Sequence, residues 1–522
     1  MSRTTTRLVA AAGCALSACA LAATPPGTHT SSIVEVSEDG RLVVEFERDL
    51  REPSVHVTTR GGDAPYPLVP DQEVMLRRQV GGVAIADMDG DGNNDVVACV
   101  YISNSFPPYT EFQDMIFYGT GAGINTIPGW VSNDATHSAD VLIGDLNNDS
   151  FNDVVVVHGG GLRTDNVRVY FGSMSGPSTA AGFVSTSSPN AWGTAGALVD
   201  IDNDNDLDLV TTNQGTSTSP DRPVMLFRND GSTLLATNVW SSTESNSQSG
   251  VDAADINGDG FMDLAVARRT SDASCVYLNT GAGLPEGIPS VTVPPDPSFP
   301  GGTDDRGAVF ADFTMNGVKD LFFNSRTDHG RLYTVTPTTL TLYQETTPPF
   351  DSPQETRVAD VDGDGDMDLA EIHFSDGRTH IYINRNGVLD GTPTWTYDAS
   401  EVGNSLAFGD LNNDGRPDLV TGYGGDICLR VFFAVVPDCP GDLTTTGGGA
   451  PGVPDGSVDL ADLLYFVNAW DADLGSPTPN PGSIADVTTT GGGDPGVPDG
   501  NVDLSDLLYY VNDWEVGLAQ CP

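Results

Sequence analysis

The chain has 522 residues, with 73 acidic side chains against 23 Lys and Arg and a formal net charge of −50. So acidic a surface repels phosphate backbones, which excludes nucleic acid as an expected partner. The length exceeds one ordinary core, so several domains or a repeat array is expected, and 60 Gly with 35 Pro suit short strands joined by many turns.

Arg3 and Arg7 precede an uncharged run over 8–22, and Thr24-Pro25-Pro26 follows it. This is the form of a signal peptide over residues 1–23. The run is short for a membrane helix and no later stretch approaches about 18 apolar residues, so no membrane span is expected. The expected location is secreted or cell-surface. Leu16-Ser17-Ala18-Cys19 has the form of a lipobox, with Cys19 as the lipidated first residue, while Ala20-Leu21-Ala22 fits ordinary cleavage. Both routes stand. Residues 24–79 are expected to hold N-terminal strands; positions 33–46 alternate like a hairpin around Glu38-Asp39-Gly40.

From there one nine-residue pattern recurs, Asp at positions one and nine, an oxygen-bearing side chain at three and five, and Gly, Asn or Ser at six. Its copies start at Asp87, Asp145, Asp200, Asp255, Asp312, Asp360 and Asp410, at steps of 48 to 58 residues, which marks seven copies of one supersecondary unit. The seven loops hold 25 of the 73 acids, so much of the net charge sits at fixed spacing rather than as a diffuse solvated surface.

A calcium ion takes six to eight hard oxygen ligands, and alternate residues of a tight loop can all turn toward it. The expected calcium ligands are Asp87, Asp89, Asp91 and Asp95; Asp145, Asn147, Asp149 and Asp153; Asp200, Asp202, Asp204 and Asp208; Asp255, Asn257, Asp259 and Asp263; Asp360, Asp362, Asp364 and Asp368; and Asp410, Asn412, Asp414 and Asp418. Asp312, Thr314, Asn316 and Asp320, with Lys319 beside them, form a weak site. An EF-hand closes its loop with an acid at position twelve; here the closing Asp at nine leads straight into an apolar strand, which predicts a hairpin. The alternative without metal is an Asx-turn joining two strands, but two unit charges 4 Å apart repel by roughly 4 kcal/mol at an effective dielectric of about 20, which favours an ion in the acid-rich loops.

These loops, each with its apolar strand and blade-length pitch, resemble the FG-GAP/VCBS repeats of integrin α-subunit propellers over about 80–435. The resemblance implies a calcium-bearing β-propeller. The residues agree: apolar strands stand before each loop (VGGVAIAD, ADVLIGD), after it, and again as VRVYFG, VMLFRN, CVYLN or HIYIN. The expected fold class is all-β, a seven-bladed β-propeller over 80–436 followed by a small α-helical dockerin-like module over 437–522. The last blade lacks an outer strand, and residues 33–46 are the candidate to supply it. Five residues beyond each closing Asp, the strands place polar or aromatic side chains at most copies, and His158, Asn213, Arg268, His373 and Tyr423 are expected as a ligand-binding ring at the face away from the metals. The alternative is strands ending in polar residues at solvent.

After Pro437 two near-identical copies begin at Asp442 and Asp486. Each has the form DGxVDLxDLL, resembling the later half of an EF-hand loop and its helix, as in dockerin modules. The resemblance assigns Asp455, Asp459 and Asp462, and Asp499, Asp503 and Asp506, as calcium ligands; an inserted Gly-rich stretch separates them from earlier ligands. Cys439 and Cys521 bracket the pair and are expected to bridge, with Cys428 to Cys439 as the competitor. Cys99, Cys275 and Cys428 lie in predicted strands and read as buried apolar residues.

No GxSxG elbow, HExxH, phosphate loop or CxxC is present. The expected function is extracellular or cell-surface binding or adhesion to a carbohydrate or protein ligand, with a cohesin-like or cell-surface partner for the tail. The alternative is a polysaccharide-active lyase or hydrolase on the same scaffold.

Overall fold

In the computed structural model the closing aspartate of every loop opens a strand, as the sequence predicts: Asp95–Ile102, Asp153–His158, Asp208–Gln214, Asp263–Arg268, Asp320–Ser325, Asp368–His373 and Asp418–Gly425. The structure describes residues 65–435, apart from 103–111, 160–165, 187–191, 215–222, 244–246, 270–272, 282, 285–286, 294–303, 327–328 and 347–351. It also describes the backbone of Thr4–Ala11, Ile33–Val36 and Arg41–Arg48. The tail module lies outside the described residues.

These second strands are near-continuous apolar runs because both of their faces are covered; Asp153–His158 and Asp263–Arg268 are buried throughout. Each pairs antiparallel with the strand before its loop and with a third strand, and a fourth lies outside. Five four-stranded sheets repeat this order, and an eight-stranded curled sheet completes the all-β, propeller-like fold. Within that large sheet two four-strand runs of the same order are joined by a short ladder in which Gly424 opposes Gln79 and Gly425 opposes Arg78.

The inner strands are Arg78–Ala86, Ser138–Gly144, Trp192–Val199, Gln248–Ala254, Asp305–Ala311, Pro353–Ala359 and Val402–Gly409. Each packs against the next, and the last packs against the first, so the inner strands form a closed circle. Small residues permit this approach: a Cβ on Gly82 would lie 2.8 Å from the Val141 nitrogen, and one on Gly250 would lie 2.7 Å from the Arg306 carbonyl. Side chains also latch one inner strand to the next. Asp140 Oδ2 accepts from Gly196 N (2.9 Å), Asp252 Oδ2 from Phe310 N (2.7 Å), Glu355 Oε2 from Leu406 N (3.0 Å) and Ser405 Oγ from Val83 N (2.9 Å).

The core lies between adjoining sheets. One cluster joins Val97, Cys99, Ile116 and Trp130 to Val141, Val154, Val156 and Tyr170 of the following sheet. Edge-on aromatic pairs with centroids 5.5 Å apart recur at three such seams, Trp130 with Tyr170, Trp240 with Tyr277 and Trp395 with Phe432. The second residue of each loop, Met88, Leu146, Ile201, Ile256, Phe313, Val361 or Leu411, is buried and anchors the hairpin tip to this core.

The missing outer strand does come from the N-terminal side, but from a different segment than expected. Gln72–Val74 pairs with Leu429–Phe432, with Val74 opposite Leu429 and Gln72 opposite Val431. Ile33–Val36 and Arg41–Arg48 instead pair with each other, as a hairpin should, and Thr4–Ala11 joins them in a separate three-stranded sheet. Those three strands belong to a different compact unit from the propeller sheets, which occupy Tyr66–Val361 and Asp366–Ala434.

Candidate metal centres at the hairpin tips

Each tip is first a folded turn. Asp87 accepts from Gly90 N (2.7 Å) and Gly92 N (2.9 Å), and Asp91 accepts from Asn93 N (2.8 Å). The bonds from the sixth and seventh residues recur in the loops from Asp145, Asp255 and Asp410, while the fourth residue donates at Asp255 and the fifth at Asp145 and Asp410. The sixth residue is left-handed as expected, from Asn205 (φ 69°) to Gly365 (φ 92°), and Ser150 adopts it too (φ 71°). The fourth residue is also left-handed, at Gly90, Asn148, Asn203, Gly258, Met315, Gly363 and Asn413, which sequence reasoning missed. Gly or Asn at that position in six of the seven copies was the available signal.

The closing aspartate has a double duty. Asp95 Oδ2 accepts from Met88 N (2.8 Å) and Oδ1 from Gly119 N (2.7 Å), tying the loop to the end of the third strand. Asp153, Asp208, Asp263, Asp368 and Asp418 repeat both bonds. In three sheets the third-strand donor is an asparagine that sequence reasoning passed over. Asn229, Asn279 and Asn384 donate backbone N–H groups to Asp208, Asp263 and Asp368, and their amides reach the Leu146, Ile201 and Phe313 carbonyls of a neighbouring loop. The recurrent Asn ending FRN, YLN and YIN carried that signal. Burial pushes the carboxyls of Asp95, Asp153, Asp208, Asp263 and Asp418 up to about 6, against the pull of their backbone hydrogen bonds.

Three loops bring carboxylates to one point. In Asp87, Asp89 and Asp95, in Asp200, Asp202 and Asp208, and in Asp360, Asp362 and Asp368, one oxygen from each residue lies within 4.8 Å of the others. Desolvation and then the neighbouring Asp91 raise the pKa of Asp89, the strain that a divalent cation relieves. The donors are hard oxygens on one turn, and they fit calcium. The loops from Asp145, Asp255 and Asp410 share the turn geometry with Asn as third residue; Asn147 and Asn412 donate to Asp149 and Asp414 at 3.0 Å.

Two loops differ. At Asp200 the Arg228 guanidinium bridges Asp202 and Asp204, so a protein cation already neutralises part of that set. At Asp312 the loop closes on itself: Thr314 N and Oγ1 both donate to Asp320 Oδ2 (2.9 and 2.8 Å), and Asn316 Nδ2 donates to Thr314 Oγ1 (2.8 Å).

The residues expected as a ligand ring are placed inside the sheets. His158, Asn213, Arg268, His373 and Tyr423 are all at most 4% exposed. Asn213 holds the Pro223 carbonyl (3.1 Å) and receives Asn166 Nδ2 (3.2 Å); Arg268 donates to Tyr277 Oη (3.1 Å); Tyr423 lies under Arg430, 4.5 Å from its ring centroid, and meets Thr379. Five residues beyond the closing Asp the chain is still within the strand, so these side chains are covered by the sheets rather than lining an open mouth. Cys99, Cys275 and Cys428 are fully buried, as expected. Cys19, Cys439, Cys521, Asp455, Asp459, Asp462, Asp499, Asp503 and Asp506 lie outside the described residues.

A family model for the FG-GAP-like repeat matches residues 215–266 and 360–421. The chain thus carries FG-GAP-like repeats in a β-propeller arrangement, with acidic clusters consistent with calcium sites. No curated protein matches the sequence. Among solved structures, the crystal structure of BBS1N in complex with ARL6DN, soaked with lead, is 14% identical at a TM-score of 0.47, covering 72% of this chain and 97% of that one. Raptor of Chaetomium thermophilum is 10% identical at a TM-score of 0.44, covering 71% of this chain and 29% of its own. Neither TM-score reaches 0.5, and the propeller arrangement rests on the strand order itself.

Proposed function

We propose that this chain is an exported, calcium-stapled seven-bladed propeller that binds an extracellular or cell-surface ligand. The two four-strand runs of the large sheet count as two blades, which with the five separate sheets makes seven, one per acidic loop. The observation that carries calcium binding is the convergence of three carboxylates in three hairpin tips, on turns that recur in the other loops. The ions act as staples that neutralise clustered charge; extracellular modules commonly hold calcium at about 10⁻⁴ to 10⁻³ M. Binding to the folded state alone adds stability by mass action. The tail from 437 is read as a dockerin-like tether to a cohesin-like or cell-surface partner. The test is calcium titration of the chelated full chain with thermal unfolding, alongside a glycan and secretome-protein binding screen and a polysaccharide turnover assay. Saturable calcium binding that raises the melting temperature, with ligand capture and no turnover, is the expected result. Absence of any calcium effect sinks the staple, and turnover makes the chain an enzyme.

A further inference from the structure

Six residues beyond the closing aspartates, rather than five, the second strands emerge at the end opposite the acidic tips. The residues there are Tyr101, Gly159, Gln214, Arg269, Arg326, Phe374 and Gly424. The inner strands start at the same end, bringing Trp192, Asp304 and Arg306 beside them.

In a chain of net charge −50 this end sets three arginines beside Asp304. Arg306 Nη2 lies 3.0 Å from Asp304 Oδ2, and Arg269 Nε lies 3.8 Å from Asp304 Oδ1 while its Nη1 meets the Gln214 amide oxygen. Arg326 stands next to them, its Cζ 6.0 Å from the Phe374 ring centroid. The crowding is unfavourable: desolvation and then the Arg269 charge push Arg306 down to about 10, with Arg326 adding to the repulsion against the opposing pull of Asp304. Arg306 is only 4% exposed, and its Nε has no hydrogen-bond partner among the described residues. Among the described residues, a buried guanidinium N–H without an acceptor and two further cations share the carboxylate of Asp304, a donor set with room for a second anion.

An aromatic surface adjoins it. Tyr101 and Trp192 lie 6.5 Å apart at an interplanar angle of 35°. Burial pushes the Tyr101 hydroxyl up to about 12, against the pull of its hydrogen bond with Trp192 and then of the Arg269 charge. Planar guanidiniums match a carboxylate in two-point fashion, and an aromatic ring face matches the apolar face of a sugar ring.

We propose that this end of the propeller takes a hexuronate unit of an acidic polysaccharide, its carboxylate held by Arg269, Arg306 and Arg326 and its ring against Tyr101 and Trp192. The inference rests on the extracellular-binding reading and gives that reading a ligand class. A hexuronate carries charge and apolar face on one rigid ring, whereas an acidic peptide presents carboxylates on flexible stems that cost more to order.

The test uses the full-length, calcium-loaded protein and titration calorimetry. The probes are a short galacturonate oligomer, its methyl ester, a sulfated galactan oligomer, a neutral glucan and polyglutamate. The galacturonate oligomer binds; the ester and the neutral glucan do not. R269Q and R326Q each weaken binding at least tenfold with unchanged melting temperature, and Y101A weakens it while preserving the salt dependence. Equal binding by the ester, unaltered binding by R269Q and R326Q, or preference for sulfated galactan or polyglutamate overturns the proposal. If a neutral glycan or protein is captured and the arginine variants are indifferent, the hexuronate assignment fails while extracellular binding survives. Capture of nothing by the native protein removes both.

Discussion

Replacing Asp95 and Asp87 in turn separates two roles that one loop combines. Asp95 is 1% exposed, and its two oxygens accept from Met88 N and Gly119 N. An unsatisfied buried N–H costs about 1–3 kcal/mol, so the two left by D95A are expected to cost about 2–6 kcal/mol in calcium, with the loss of the ion's contribution added to that. In chelator the loss shrinks, because the variant also escapes the cost of burying an ionised carboxylate, but it persists. Asp87 accepts from Gly90 and Gly92 in an exposed loop, where both donors can turn to water. D87A is therefore expected to lose only one ion's contribution, about 2.7 kcal/mol at a calcium concentration 100-fold above Kd, and nothing in chelator. Urea unfolding followed by tryptophan fluorescence, with and without chelator, reads the difference; midpoints are compared because so large a ring need not unfold in two states. If D95A matches the native protein in chelator, the closing aspartate is merely a ligand, and the account of the hairpin tip given above is wrong.

Met315 holds a left-handed backbone (φ 55°) where other copies carry Gly or Asn, so M315G is expected to gain about 1 kcal/mol in thermal unfolding despite the entropy glycine adds to the unfolded chain. R228Q frees Asp202 and Asp204 and should raise the calcium affinity of that single loop several-fold by calorimetry; unchanged affinity would show that the guanidinium does not compete. Burial holds the closing carboxyls of Asp95, Asp153, Asp208, Asp263 and Asp418 up at about 6 when folded, above their ordinary value of 3.8, so without calcium their contribution is fully present below about 4 and is lost as pH rises through 6. Calcium binds the ionised form, so the gap in melting temperature between loaded and chelated protein should widen from pH 4 to 7; a constant gap contradicts this. Truncation to residue 65 should leave the propeller's stability unchanged, whereas truncation to residue 76 bares the edge of Leu429–Phe432 and should cause aggregation visible by light scattering.

Much of the ring was legible because its repeats are written in local chemistry. A turn that needs carboxylates at fixed offsets and a left-handed sixth residue leaves a pattern in the chain, and all seven closing aspartates do open strands. Contacts between sheets leave fainter traces. Asn229, Asn279 and Asn384 act on a carbonyl more than 70 residues earlier in the chain, and nothing in their own neighbourhood announces the partner. The expected ring fell inside the sheets because the second strands run at least to the fifth position, and four of them end there. In strands a shift of one residue exchanges one face for the other, so an offset counted from the closing aspartate does not by itself tell a covered side chain from an open one. Gln72–Val74 is three residues long, too short for alternation to appear, so the longer hairpin at 33–46 looked the better closing strand.

Closing the circle with Gln72–Val74 makes the start of the ring wait for its end. Some 355 positions separate Val74 from Leu429, so a chain emerging from a ribosome or a translocation pore displays an open, adhesive seam until nearly all the repeats have arrived. Assembly is thus expected to be slow and exposed to self-association. Repeats cannot simply be appended at either terminus, because the sheet that seals the ring is shared by both; duplication has to insert new units inside the clasp.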